Sequence, residues 1–249
     1  MASEVLRPAG AVPPDFWQAL RVADVDRDLL RNIVALRDPQ DLFDDLSDNP
    51  AHTRLAAEAE RQACPAAYRS SSPLIDRPFE QAKWSHAIGW PFGHWQASRY
   101  SDGSFGVWYG ADTLETSVRE SAHHWVRGFL ADAGFDDQEV TGERQVYAVA
   151  CRAALLDLRP AVDTAPALLH PSDYTLPRTV GDRLQREGYP GLLAPSVRHP
   201  PGQTYAVFNP QVLSDPRPHT ALTYRFEGRR IAVEKKPGRR WLSIDLAGS

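Results

Sequence analysis

The chain of 249 residues is 42% hydrophobic and 24% charged, the balance of a folded globular protein and not of a disordered one, and it is long enough for one large domain or for one domain with an added subdomain. A net charge of −4 argues against binding nucleic acid by bulk electrostatics. No run of about 18 apolar residues occurs, so no segment is expected to span a membrane.

The opening stretch, "MASEVLRPAGAVPPDFW", lacks the apolar centre of a secretory signal, and a cytoplasmic protein is expected. Residues 1–13, with Pro8 and Pro13–Pro14, read as a loose arm. In "DFWQALRVADVDRDLLRNIVALRD" the residues Phe16, Leu20, Val25, Leu29 and Ile33 fall at roughly helical spacing, which predicts a helix started by Asp15 or Pro14. "DPQDLFDDLSDNP" and "AHTRLAAEAERQAC" predict two more helices, separated at Asn49–Pro50. Residues 1–65 thus read as a helical N-terminal region, and the Pro/Ser-rich "PAAYRSSSPLIDRPFEQAKW" as a seam after it. Cys64 and Cys151 are too few for a structural zinc site and are expected to be free thiols in a reducing compartment, with a chance disulfide between them as the alternative. The only lysines are Lys83, Lys235 and Lys236, so a single Arg among many carries little weight by itself.

Beyond the seam, "HWQASRY" and "SFGVWYGA" read as short strands around an Asp102–Gly103 turn, with Phe105, Val107 and Tyr109 on one face. "DTLETSVRESAHHWVRGFLADAG" predicts a helix capped by Asp112 or Thr113 and ended by Gly134. On a wheel of 100° per residue, Leu114, Val118, Ala122, Trp125 and Phe129 form its core face, and Glu120 lies nearly opposite with Thr113, Ser117 and His124. "RQVYAVACRAALLDLRP" gives a strand, with a second short one after it as an open alternative, and "LPRTVGDRLQREGYPG" a helix ended by Gly188. "GLLAPSVRHPPGQTYAVFNP" reads as strand, loop, strand. "HTALTYRFEG", "RRIAVEKKPG" and "RRWLSIDLAG" read as a terminal β meander. Strands mixed irregularly with helices indicate an α+β fold.

Several common sites are absent. No GxGxxG opens a helix, and there is no P-loop, HExxH or GxSxG. The eight histidines are scattered, and the adjacent His123 and His124 face different sides of a helix, which is poor metal geometry. Taken singly, Arg99 reads as a surface charge, Tyr109 as sheet packing, Glu115 and Glu120 as solvated helix residues, and Ser196 as a turn serine.

Their order and spacing say more. The segments "SRYSDG", "WYGADTLETSVRE" and "APSVRHPPGQTYAVF" resemble the RES-domain proteins, toxins of bacterial toxin–antitoxin pairs named for an Arg, a Glu and a Ser. The family pattern is an Arg-containing strand, a "YxAxxxxxAxxE" strand-to-helix segment and a late "PSxRxPxG…F" segment, and the resemblance covers roughly residues 85–215. Two departures touch the pocket floor: Ser117 stands where the family has Ala, and the Gly-rich stretch after the Arg is compressed to "YSDGSFG".

The resemblance implies an ADP-ribosyltransferase-like split β-sheet core with flanking helices, here residues 66–249 including the meander. It implies NAD as substrate and no metal. Glu120 would stabilise an oxocarbenium-like ribose, Arg99 would hold the pyrophosphate, and Tyr109 would stack on or frame the nicotinamide ring. Ser196 would orient the ribose or the Glu120 carboxylate, and Tyr100 is a further pocket residue. The implied activity is an NAD glycohydrolase or phosphorylase that depletes cellular NAD. The alternatives are a mono-ADP-ribosyltransferase acting on a protein and a non-catalytic binding module. A cognate Xre-type DNA-binding antitoxin is implied as partner. The N-terminal helices and the meander are left for antitoxin docking, homodimer contacts or a target surface.

Overall fold

The structure, a computed structural model, describes residues 12–13, 15–35, 85–130 and 139–246. In chain order the described elements begin with a single helical turn α1 (Phe16–Ala19) and strand β1 (Arg21–Val34). A wide turn at Ser85–Gly89 leads into the short helix α2 (Trp90–Gly93), followed by strand β2 (Trp108–Ala111) and helix α3 (Leu114–His124). Strand β3 (Val140–Asp157) comes next, then helix α4 (Thr175–Arg186) and strands β4 (Gly191–Pro195) and β5 (Gln203–Val207). The meander is β6 (Leu213–Phe226), β7 (Arg230–Lys236) and β8 (Arg239–Asp245).

The helix expected over residues 15–38 is corrected: beyond α1 the segment is the 14-residue strand β1. Its apolar Val25, Leu29 and Ile33 are four apart, a spacing that satisfies a helical face and a strand face alike. The alternation of exposed Asp24, Asp26 and Asp28 is the strand's own signature. Two of these acids are met by arginines across the sheet, Asp26 by Arg152 and Asp28 by Arg217. The two helices and the seam expected between residues 38 and 84, the boundary at 65, and Cys64 lie outside the described residues.

The strand expected in "HWQASRY" is also corrected, because residues 95–107 form a loop. Polar side chains there satisfy the backbone that a ladder would otherwise pair. Ser101 Oγ donates to Phe105 O and accepts from Gly103 N, and Asp102 Oδ1 accepts from Ser104 N. Gly103 takes φ +105°, the conformation that the Asp–Gly turn needs. Phe105, Val107 and Tyr109 do share one core, although only Trp108–Ala111 pair as a strand.

β3 organises the sheet. One of its edges is covered by β1, antiparallel from Arg21↔Asp157 to Val34↔Arg144. The other edge is divided: β6 runs along Val140–Cys151, and β4 joins in parallel at Leu156↔Leu192. This division is the split in the sheet. β4 pairs with β5, β5 with β2, and β2 returns to β1 at Leu30↔Ala111, so β1-β2-β5-β4-β3 close into a ring while β6-β7-β8 extend away as the meander.

Three apolar clusters hold these layers. Val25, Leu29, Trp108, Val149, Leu155 and Val207 form one, with Trp108 Nε1 satisfied by Ala87 O at 2.7 Å. α4 packs Leu176, Val180 and Leu184 against Leu156, Leu158 and Leu192. α3 lays Val118 and Ala122, followed by Trp125, onto Val146, Leu222, Tyr224 and Phe226. Each fully buried aliphatic side chain contributes about 1.5–3 kcal/mol. α3 is capped by Thr113, whose side chain accepts from Thr116 N; of the core face that the sequence spacing predicts, Leu114, Val118, Ala122 and Trp125 join this cluster, and Thr116 and Ser117 are buried as well.

Candidate active site

Burying the apolar face of α3 turns Glu120 toward a cleft between α3, β1, β2 and the loop after β4. Arg99, Tyr100, Tyr109 and Glu120 all line this cleft. Ser196 sits behind its wall, 2% exposed, and reaches the site through the carboxylate. Its Oγ donates to Glu120 Oε1 at 2.5 Å and accepts from His199 N at 3.0 Å, while its own N–H is held by Gly202 O at 2.9 Å.

The Pro/Gly-rich loop can carry Ser196 to this point because residue 202 is Gly. A Cβ there would lie 2.0 Å from Thr116 Oγ1 on the first turn of α3, well inside contact distance. A similar close approach occurs at Gly181 of α4, where a Cβ would lie 2.0 Å from Tyr100 O. These two glycines press the loops on either side of the cleft against neighbouring helices.

The tyrosines form a wall. Tyr109 Oη donates to Ser98 Oγ at 2.8 Å and accepts from Tyr100 N at 3.1 Å, which locks the loop before β2 against the sheet. Burial raises both phenols above the ordinary tyrosine range, so both stay neutral. Arg99 Nη1 donates to Leu168 O at 3.2 Å and His170 O at 2.9 Å, and its guanidinium lies over the Tyr174 ring at 4.4 Å. It ties two loops together and still has other N–H donors on its fork.

Two further arginines line the same cleft. Arg31 of β1 donates from Nη1 to Tyr109 O at 2.9 Å, stacks over Trp108, and has a buried Nε with no partner. Burial brings its pKa down to about 10, still high enough to keep it charged at neutral pH. Arg198 donates from Nη2 to His123 Nε2 at 2.7 Å and to Pro171 O, and its backbone N–H faces Glu120 Oε1 at 3.4 Å. His123 accepts that bond as a neutral ring, since burial and the adjacent Arg198 lower its pKa to about 4. Reading residues 15–38 as a helix hid Arg31. The available signal was an arginine set inside the apolar run "LLRNIV". Arg198 stood in the quoted "PSVRHPPG" without a role.

The cleft thus sets three guanidinium groups, Arg31, Arg99 and Arg198, around one carboxylate, Glu120. Such an excess of fork-shaped cations suits a ligand with more than one phosphate oxygen. No group of His, Cys, Asp and Glu suited to a metal ion occurs among the described residues.

A family model described as the RES domain matches residues 67–227, more than half of the chain. Among solved structures, the chain is similar to the crystal structure of the M. tuberculosis MbcT–MbcA toxin–antitoxin complex. The identity is 14%, the match covers 84% of this chain and 88% of that one, and the TM-score is 0.44. No curated protein matches the sequence.

Proposed function

Because the chain belongs to the RES-domain family, we propose that it is the toxin of a toxin–antitoxin pair and that it breaks the nicotinamide–ribose bond of NAD. The observation that carries this reading is the Glu120 carboxylate, held at 2.5 Å by Ser196 behind it, in a cleft whose lining includes three guanidinium groups. The cavity is about 180 Å³, below the roughly 300 Å³ at which pockets for drug-sized ligands begin. It therefore encloses one end of a dinucleotide and leaves the rest in the open mouth.

Nicotinamide is a good leaving group when it departs from a pyridinium, so the bond needs no strong general acid. Its rupture places positive charge on the ribose. The Glu120 carboxylate stabilises that charge and accepts from a ribose hydroxyl, and Ser196 fixes which way the carboxylate faces. Tyr109 frames the aromatic ring with Tyr100 behind it. The pyrophosphate is shared among Arg99, Arg31 and Arg198. Water or phosphate then takes the ribose carbon, which depletes the dinucleotide.

The test is release of nicotinamide from NAD by the purified protein, with Glu120→Gln as the control. Release by the wild type and its loss in Glu120→Gln are expected. Equal rates in the two would remove Glu120 from the chemistry, and transfer of ADP-ribose to a protein acceptor would make the enzyme a transferase. The partner in this reading is an Xre-type DNA-binding antitoxin encoded by a neighbouring reading frame. Its co-expression is expected to suppress nicotinamide release, and an unchanged rate in the complex would argue against an antitoxin that covers the cleft.

A further inference from the structure

The loop between β4 and β5 closes on itself around His199. Gly202 N donates to His199 O at 2.7 Å and Ser196 N to Gly202 O at 2.9 Å, and Pro200 and Pro201 form the exposed tip. The pattern "PSxRxPxG" leaves position 199 open to any residue, and the sequence by itself gives His199 no task. Its ring nevertheless has a built seat on the first turn of α3. Nδ1 lies 3.0 Å from Thr116 Oγ1, and Nε2 faces Glu115 Oε1 at 3.7 Å. Thr116 is fully buried, and its hydroxyl also meets Thr113 Oγ1, on the residue that caps the helix, at 2.7 Å.

A hydroxyl withdrawn from water needs partners inside the fold, and either direction of donation along Thr113, Thr116 and His199 satisfies this one. Glu115 is in turn held by Arg119 Nε at 2.8 Å. A separation of 3.7 Å is too long for a hydrogen bond, so Thr116 anchors the ring and Glu115 bounds its swing. Through its backbone the same residue reaches the cleft. His199 N donates to Ser196 Oγ at 3.0 Å, and Ser196 Oγ donates to Glu120 Oε1 at 2.5 Å. A serine hydroxyl has three staggered positions open to it. An N–H on its lone pair and an acceptor-only carboxylate on its proton keep it in one. The helix thus grips the loop at Thr116 and again at Glu120, four residues or about 6 Å further on.

We propose that His199 is a positioning residue: its ring, seated on Thr116, sets the N–H that holds Ser196 Oγ against Glu120. Its part in catalysis rests on Glu120 acting on NAD, whereas the seating of the ring does not. Arg198 has holds of its own on His123 and Pro171. Freeing the ring of residue 199 therefore falls on the Ser196–Glu120 pair and not on the arginine assigned to phosphate.

The experiment measures two things on the full chain: amide hydrogen exchange by NMR without NAD, and nicotinamide release with it. The variants are His199→Ala, His199→Asn, which places an amide where Nδ1 stands, Ser196→Ala, and His199→Ala with Ser196→Ala. The residue-199 amide is expected to be protected in the wild type, about tenfold less in His199→Ala and Ser196→Ala, and close to wild type in His199→Asn. In His199→Ala kcat should fall by about tenfold with KM for NAD within about twofold, and His199→Asn should recover most of the loss. Added to Ser196→Ala, His199→Ala should cost no more than about a further twofold. Each variant must keep the far-UV spectrum and a cooperative melt. Should His199→Ala fail to fold, His199→Phe, a ring without nitrogen, takes its place with the same expectations. Wild-type protection of the residue-199 amide in a folded His199→Ala would overturn the proposal. So would an equal kcat loss in His199→Asn and His199→Ala, a loss confined to KM, or losses at 196 and 199 that multiply in full. If the wild type releases no nicotinamide, the reading of Glu120 falls, and the exchange pattern alone upholds or overturns the seating of Ser196 by His199.

Discussion

Replacing Ser196 with Ala removes one donor and one acceptor from the candidate active site and little else. The donor is the hydroxyl that reaches Glu120 Oε1 at 2.5 Å, and the acceptor is the same oxygen, which takes His199 N–H at 3.0 Å. A hydrogen bond to a charged partner is worth about 1.5–3 kcal/mol, a factor of roughly 10–150. If Glu120 acts chiefly on the charge that develops in the transition state, the loss falls on kcat, and KM for NAD stays within about twofold. The stranded His199 N–H costs about 1 kcal/mol of stability, a fall in Tm of about 2–4 °C for a chain of this size. The assay is the initial rate of nicotinamide release at several NAD concentrations for Ser196→Ala, Glu120→Gln and the double variant. Because Ser196 works through Glu120, the double variant should be no slower than Glu120→Gln by more than about twofold. An unchanged kcat in a folded Ser196→Ala, or two losses that multiply in full, would refute the reasoning.

The other predictions concern the walls of the cleft. Arg31→Met removes a cation with an unsatisfied Nε, so the free protein should melt at the same temperature or higher, while calorimetry should show NAD binding weakened by about tenfold or more. Gly202→Ala drives a methyl into Thr116 Oγ1. It should cost about 1–3 kcal/mol in thermal unfolding and lower kcat through Ser196, and Thr116→Ala in the same chain should restore part of both. The folded pKa of His123, about 4, lies below the ordinary value of 6.5. Its contribution to stability is therefore complete above pH 6.5 and is lost as pH falls toward 4, where the unfolded chain takes up the proton first. Its ring is surrounded by Arg198, His124, Arg127 and Arg99. Melts between pH 4 and 8 should decline across that window, less steeply in His123→Gln.

Much of the second half of the chain was legible. Gly188, Gly228 and Pro237–Gly238 punctuate runs long enough for period two or period 3.6 to declare itself, and the core face of α3 follows from Leu114, Val118, Ala122 and Trp125. The opening segment was not legible, since residues four apart fit either period and the decisive partner, β3, lies more than a hundred positions away. The same long-range pairing explains why Arg31 could not be named, whereas Glu120, Tyr109 and Arg99 lie in segments whose order and spacing resemble a known family. A side chain that enters a site only because two distant strands align leaves no local mark. Ser196 was named through that same resemblance. Its placement behind the carboxylate depends on the packing of Gly202 against Thr116, which spacing cannot convey.

The boundaries of the matched segment, 67–227, leave out β1, β7 and β8, all of which pair in the sheet. A fragment trimmed to them would lose the 14-residue strand that pairs with β3 from Arg144 to Asp157, and with it the arginine that strand delivers. The bared edge would present a long row of free N–H and C=O groups, the kind of surface that recruits a neighbouring molecule and precipitates. Expression of this protein should therefore start upstream of residue 21, and failure of a shorter version would say nothing about its chemistry.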